Sequence, residues 1–405
     1  MSFNIKDGKL NYYCYEPGET SITIPDTVRS IESFALNNQS KLVSIHIPAG
    51  VTEIRYHSFY ECPNLKRIQV SKRNLFFTDI DGVLYDKSKH TLLCCPSGLE
   101  SIHIPANVTN MRESDAFAGC QHLKEITVDK RNRKYTVLNG VLYEHNGVKL
   151  TKLIRCPVDI RELHIPESVT EIFPHAFEYS TQLEKITLPK HVTKIESYTF
   201  QYCHHLKQVP LHSGIEYIGE SAFRDCNSLK EIILPMGIKA IRSYAFSSCQ
   251  NLEKLVIPES VKSASCIVSH CPNLCSVICH GINIPVPNKY LGAVIYMIAE
   301  KDLTLKFSPS IKYPILYQMF LRNQDDRKIE QYIQENFTEI MTGLILDNQL
   351  ETVQNYVRAF RKCLTVQLLD ELIRLAIDEQ KYEIQIFLTN LKYQRNDFSP
   401  KDWSL

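Results

Sequence analysis

A block of about 23 residues returns along the first two-thirds of this 405-residue chain, and it leaves few folds open. The block reads L-x-x-I-x-I-P-x-x-V-x-x-I-x-x-x-A-F-x-x-C-x-x-L. It is plainest in Leu42, Ile45, Ile47, Pro48, Val51, Ile54, Phe59, Cys62 and Leu65. Its leading position falls at Glu19, Leu42, Leu65, Leu99, Leu123, Ile160, Leu183, Leu206, Leu229, Leu252 and Leu274. Most steps are 22 to 24 residues, and two, ending at Leu99 and Ile160, are 34 and 37. A unit this short cannot enclose a core, so its apolar side is buried only against the next copy. The expected fold is an α/β solenoid with one coil per copy, about 10 to 11 coils over residues 1–282.

Within a copy, I-x-I alternates with period two, which reads as a strand with one buried face. The proline after it lacks an N–H for the ladder and ends the strand. V-x-x-I and A-F-x-x-C then space apolar residues as helical or 3-10 turns do, so a turn-rich or helical return is expected. Stacked coils would form a right-handed superhelix with a parallel sheet on its concave side, strands about 4.8 Å apart. The two long steps carry a second duplication, NLFFTDIDGVLY at 74–85 and NRKYTVLNGVLY at 132–143. Asp81-Gly82 and Asn139-Gly140 mark these as hairpin insertions near 71–98 and 129–159. A weaker relative at Gly8, Leu10 and Tyr12 is expected to cover the first open edge.

These residues resemble the BspA-type leucine-rich repeat family over roughly residues 19 to 280. Departures are local: Leu36 replaces the usual Phe, Leu211 follows Pro210 instead of preceding a proline, and the coil from Ser263 to Cys275 is irregular. The resemblance implies a binding or adhesion scaffold.

Lys and Arg total 46 against 45 Asp and Glu, so no field favours nucleic acid or an acidic membrane. No run of 18 apolar residues is present for a membrane span. The start, MSFNIKDGKLNYYCYEPGE, lacks the charged and apolar regions of a secretory leader. A cytoplasmic location is therefore expected, with surface attachment or a non-standard export route as the alternative. Cys62, Cys120, Cys203, Cys226, Cys249 and Cys271 share one repeat slot, so they are expected to form a buried column of reduced thiols.

The chemical motifs weaken on inspection. Asp79-Ile80-Asp81-Gly82-Val83 is similar to the haloacid-dehalogenase phosphatase signature, whose first Asp would attack phosphorus. The internal copy replaces Asp79 by Val137 and Asp81 by Asn139, so the shared element is turn chemistry. His46, His103 and His164 share an outward strand position but lie in non-neighbouring coils, roughly 10 Å apart, too far to share one zinc. Cys266, Cys271, Cys275 and Cys279, with His270 and His280, form the densest thiol cluster, but without recurrent zinc-knuckle spacing. No enzyme, cofactor, metal or small-molecule substrate is expected.

The outward strand position carries the one site hypothesis. In chain order it reads Thr23, His46, Gln69, His103, Thr127, His164, Thr187, Pro210, Ile233, Val256 and Ile278. The last four form an apolar stripe, rimmed by Gln208, Glu231, Lys254 and Ser276. Such a stripe calls for a cover, either the C-terminal part of the chain or a partner. From 283 to 405 the repeat gives way to an all-α domain. Helices are expected near Lys289–Glu300, Tyr313–Asn323, Arg327–Asn336, Phe337–Asp347, Leu350–Phe360, Thr365–Glu379 and Tyr382–Leu391. Residues 340 to 392 are weakly similar to the helical half of ankyrin repeats, which suggests stacked hairpins. The expected function is a non-enzymatic scaffold. It would bind a protein partner through Pro210, Ile233, Val256 and Ile278, with His46, His103 and His164 on the polar half. A cell-surface or secreted adhesin is the alternative.

Overall fold

The structure is a computed structural model that describes residues 2–14, 18–112, 116–208, 211–285, 290–323 and 326–394. The chain divides into two compact units, Met1–Cys275 and Ser276–Leu405. The first is a β-solenoid of about 11 turns, and the second carries seven α-helices among the described residues.

The I-x-I segments form parallel strands in the expected register. Ser21–Thr23, Ser44–Ile47 and Arg67–Val70 pair so that Ile22, Ile45 and Ile68 align inward and Thr23, His46 and Gln69 outward. The same register joins Ser101–Ile104 to Glu125–Val128, Glu162–His164 to Lys185–Thr187, and Glu231–Ile233 to Lys254–Ile257. The strand face is thus a series of separate pieces, where one unbroken sheet was expected.

Of the two return paths expected, turn-rich or helical, the chain takes the turn-rich one. The isoleucine of V-x-x-I sits in a second set of short parallel strands, including Ser30–Ile31 with Glu53–Ile54, and Lys194–Ile195 through Tyr217–Ile218 and Ala240–Ile241 to Ser263–Ala264. In the A-F-x-x-C turn, alternate N–H groups leave the coil for the next one. His175, Phe177 and Tyr179 donate to the carbonyls of Ser197, Thr199 and Gln201; Tyr198, Phe200 and Tyr202 donate to Glu220, Ala222 and Arg224. The intervening N–H groups bond three residues back within the turn, as Glu178 does to His175. A helix would turn every N–H back on its own chain, so this alternation is what makes stacking possible. It requires two left-handed residues per turn, such as His175 (φ 60°) and Tyr179 (φ 60°), a conformation that non-glycine residues hold only when their surroundings fix it.

Equivalent slots become columns. Phe177, Phe200, Phe223 and Phe246 stack with ring centroids 5.0, 5.3 and 5.6 Å apart. The cysteine slot is more specific than a small apolar filler. Each thiol donates to a carbonyl one coil back: Cys62 to Leu36 (2.9 Å), Cys203 to Phe177 (3.1 Å), Cys226 to Phe200 (3.1 Å) and Cys249 to Phe223 (3.2 Å). Burial pushes Cys62 up to about 12 and raises Cys203, Cys226 and Cys249 well above an ordinary thiol.

Both long steps are three-stranded meanders. Phe77–Ile80, Val83–Asp86 and Thr91–Cys94 run antiparallel, and the last joins Asn110–Met111 in parallel. Tyr135–Leu138, Val141–His145 and Leu150–Arg155 repeat the arrangement, ending beside Glu171–Ile172. Ser2–Lys6 and Lys9–Cys14 form a shorter version, with Leu10 in register with Ile31 as a cover for the first coil. Asp7-Gly8, Asp81-Gly82 and Asn139-Gly140 all turn with two positive φ angles, the geometry that right-twisted hairpins demand. Asn74 anchors the first meander: its amide donates to the Pro48 and Val51 carbonyls, and its carbonyl accepts from the N–H groups of Phe76 and Phe77. Asn132 repeats all four bonds in the second.

In the helical unit α1 (Leu291–Glu300), α2 (Pro309–Arg322), α3 (Arg327–Glu335), α4 (Phe337–Leu346), α5 (Leu350–Ala359), α6 (Val366–Asp378) and α7 (Tyr382–Gln394) lie close to their expected spans. α2 starts earlier than expected because Pro309 opens it, and it tolerates Pro314 one turn in. α2–α3, α4–α5 and α6–α7 are hairpins, and α4 packs against both α2 and α6, which stacks them. Matching left-handed residues, Asn348 and Gln380, close α4 and α6. No helix among the described residues is long and apolar enough to cross a membrane.

Two outcomes test this packing. Asn74→Ala strands two N–H groups and two carbonyls, and is expected to lower the urea-unfolding free energy by roughly 3–5 kcal/mol. In the native protein an alkylating probe is expected to label Cys14, Cys266 and Cys275, which are exposed, while Cys62, Cys203, Cys226 and Cys249 react only after denaturation.

Candidate functional site

The outward strand positions differ sharply in surroundings. His103 meets Thr127 across one strand pair (Nδ1 to Oγ1, 3.0 Å) and His164 meets Thr187 across another (2.7 Å). His46 stands beside Thr23 and Gln69. Each histidine is engaged within its own strand piece, and the three do not gather. Of the apolar set, Ile233 is 58% exposed, and its register partner Val256 is half-buried. Ile278 is half-buried on a strand of the second unit, and Pro210 lies outside the described residues. On the rim, Glu231 and Lys254 form an ion pair.

Ile233 borders a cavity of about 210 Å³ lined by Gln208, Leu211, Leu229, Glu231 and Ile232, which reaches down to Phe223 and Phe246 in the phenylalanine column. Beside it the sequence reads Val209-Pro210-Leu211, of which only Leu211 is among the described residues. Among the described residues the strand ladder fades to a single bridge, Lys185 to Gln208, and resumes at Glu231–Ile233. This void is smaller than a usual small-molecule pocket but has room for one aromatic or branched aliphatic side chain. The displaced Leu211 carried a signal for the break; nothing in the repeat marked Phe223 and Phe246 as reachable.

The other motifs take structural duties. Asp79 Oδ1 accepts from Val70 N–H at 2.8 Å, and Gly82 C=O accepts from Ile68 N–H at 2.8 Å. The first meander therefore seals the strand edge that follows Gln69, and Asp81 holds its turn (φ 52°). Cys271 and Cys275 donate to the Phe246 and Glu253 carbonyls.

The buried polar residues near Glu178 escaped the sequence reading. The Glu178 carboxylate accepts from Tyr60 OH (2.7 Å), Gly119 N–H (2.7 Å) and His175 Nδ1 (2.9 Å). Arg155, fully buried, donates to the carbonyls of His175, Cys120 (2.7 Å) and Glu178 (2.9 Å). Contacts between residues 118 positions apart leave no trace in a 23-residue period.

Comparison with known proteins follows the same outline. The model of the BspA type leucine rich repeat region matches residues 9–134 and 155–275 in six copies. Among solved structures, the chain is similar to a leucine rich cell surface protein of Faecalibacterium prausnitzii, with 26% identity over 66% of this chain and 89% of that one and a TM-score of 0.42. It is also similar to the pneumococcal vaccine antigen PcpA, with 21% identity over 66% and 71% and a TM-score of 0.45. A leucine-rich repeat protein of Eubacterium ventriosum gives 17% identity over 67% and 87%, with a TM-score of 0.41. No curated protein matches the chain.

Proposed function

Because the chain belongs to the BspA-type leucine-rich repeat family, we propose that it is a non-enzymatic scaffold that binds a protein partner on its strand face, around Ile233. The observation that carries this reading is the exposed Ile233 beside a cavity floored by Phe223 and Phe246. A large aliphatic side chain held in water next to a void is the usual form of an interface anchor and its pocket. The partner supplies one apolar side chain to the cavity and lies along Ile233 and Val256. The polar strand pairs at His46, His103 and His164 extend the contact and set its register, as rim residues do. Residues 283–405, with their stacked helical hairpins, serve as a second module, and 1–282 form the recognition solenoid.

Affinity capture tests this directly, comparing the wild-type chain with Ile233→Glu and Val256→Glu. Both variants are expected to lose the captured protein. Ile233→Glu should change stability by less than about 0.5 kcal/mol, because the side chain is already largely exposed. His103→Ala and His164→Ala are expected to weaken capture without abolishing it. Undiminished capture by both glutamate variants would place the contact elsewhere.

A further inference from the structure

The buried residues around Glu178 have no part in the binding reading, and their geometry is unusual for a solenoid. Coils carrying a meander run from strand directly into Cys95-Pro96 or Cys156-Pro157 and have no A-F-x-x-C turn. Turns 57–62, 117–120 and 175–180 therefore meet without the intervening partners that other turns have. Gly119 occupies the slot of Tyr179 and Tyr202, whose N–H groups donate to the next turn. Its own N–H has no such turn to reach, and the Glu178 carboxylate supplies the missing acceptor. The same carboxylate holds Tyr60 of the earlier turn, and Arg155 binds the carbonyls of Cys120, His175 and Glu178 from behind.

We propose that Glu178, with Tyr60, Gly119 and His175, is a pH-operated clasp that locks three non-consecutive turns where the two meanders interrupt the stack. His57, Tyr60 and Glu61 come from the first turn, and His57 lies 5.6 Å from His175, ring to ring. Among the described residues, turn 117–120 brings Cys120. His175 and Tyr179 flank Glu178 on its own turn, while Tyr198, stacked on His175 at 4.7 Å, and Tyr202 face it from the next. Arg224 and Asp225 stand beyond, and Arg155 lies behind with the thiols of Cys156 and Cys203.

Two carboxyls give the clasp opposite responses to acid. Burial alone would push Glu178 up. The neighbouring His175, with the hydrogen bonds from His175, Tyr60 and Gly119, outweighs burial and holds it below the usual carboxylate range. Its contribution to stability is present above the ordinary carboxylate pKa and is lost as pH falls through the lowered value. Glu61 is pushed up by burial and by the Glu178 charge, against the opposing Arg224 and Tyr202. Its ionisation costs stability at neutral pH, and acid relieves that cost. The clasp is therefore tightest in mild acid, after Glu61 is protonated and before Glu178 is.

Thermal unfolding of the full chain across pH tests this. Wild type is expected to gain Tm from pH 7 to about 5 and lose it below about 4. Glu61→Gln should flatten the rise. Glu178→Gln should lower Tm by about 6–10 °C at pH 7, a gap that closes in acid. Tyr60→Phe removes one donor and keeps the charge, so it should move the acid limb to higher pH even if Glu178→Gln fails to fold. Hydrogen exchange should show the 116–120 segment losing protection on that limb before the 44–47 strand does. Parallel Tm curves for wild type and Glu61→Gln, an unmoved limb in Tyr60→Phe, or simultaneous loss in both segments would each overturn the clasp.

Discussion

Everything in the first unit depends on how a turn spends its backbone N–H groups. In the A-F-x-x-C turns from His175 onward, alternate amides bond within the turn and the others cross to the next coil. That division fixes the coil spacing, and the spacing lets Phe200 stack on Phe177 and lets the Cys203 thiol reach the Phe177 carbonyl. A column of identical side chains is a consequence of this backbone register. The apolar residues supply most of the burial, but without the crossing bonds the copies would have no fixed offset.

The register explains why interruptions need explicit repair. A coil without its turn leaves amides and carbonyls on both sides without their regular partners, and burying them unpaired costs about 1–3 kcal/mol apiece. The chain repairs these places with side chains. Asn74 and Asn132 each satisfy two carbonyls and two amides at the mouth of a meander. Arg155 and Glu178 do so inside the stack, at the cost of burying two charges. Buried ionic groups are poor sources of stability, so their presence marks a place where nothing apolar could supply the missing acceptors and donors.

This also sets what could be read in advance. The period, the inward columns, the Asp-Gly and Asn-Gly turns and the helices of the second unit all follow from short-range pattern, and the residues stated them openly. The A-F-x-x-C spacing left a turn-rich and a helical return equally open, because it carries no sign of the two left-handed residues per turn that redirect the amides. Spacing records which side chains are buried but not where an N–H points. Cys62 and its equivalents were recognised as a column, yet their thiol-to-carbonyl bonds were invisible for the same reason. Glu178 was beyond reach: its partners come from coils made neighbours by what the meander coils lack.

The strand face adds one more step. Its ladder is interrupted after Gln69 and after Thr127, and at Gln208 the described strand pairing narrows to one bridge, to Lys185. At the first, the chain's own meander fills the gap, with Gly82 and Asp79 bonding the exposed strand edge; at the second, the Tyr135–Leu138 strand packs on Glu125–Val128. Near Gln208 the chain carries no insertion, because Leu206 to Leu229 is an ordinary 23-residue step. There the strand face has a cavity of about 210 Å³ with an exposed isoleucine at its lip. Ile233 differs in this from apolar residues exposed singly, such as Val148 on a meander tip, which are ordinary on a protein surface.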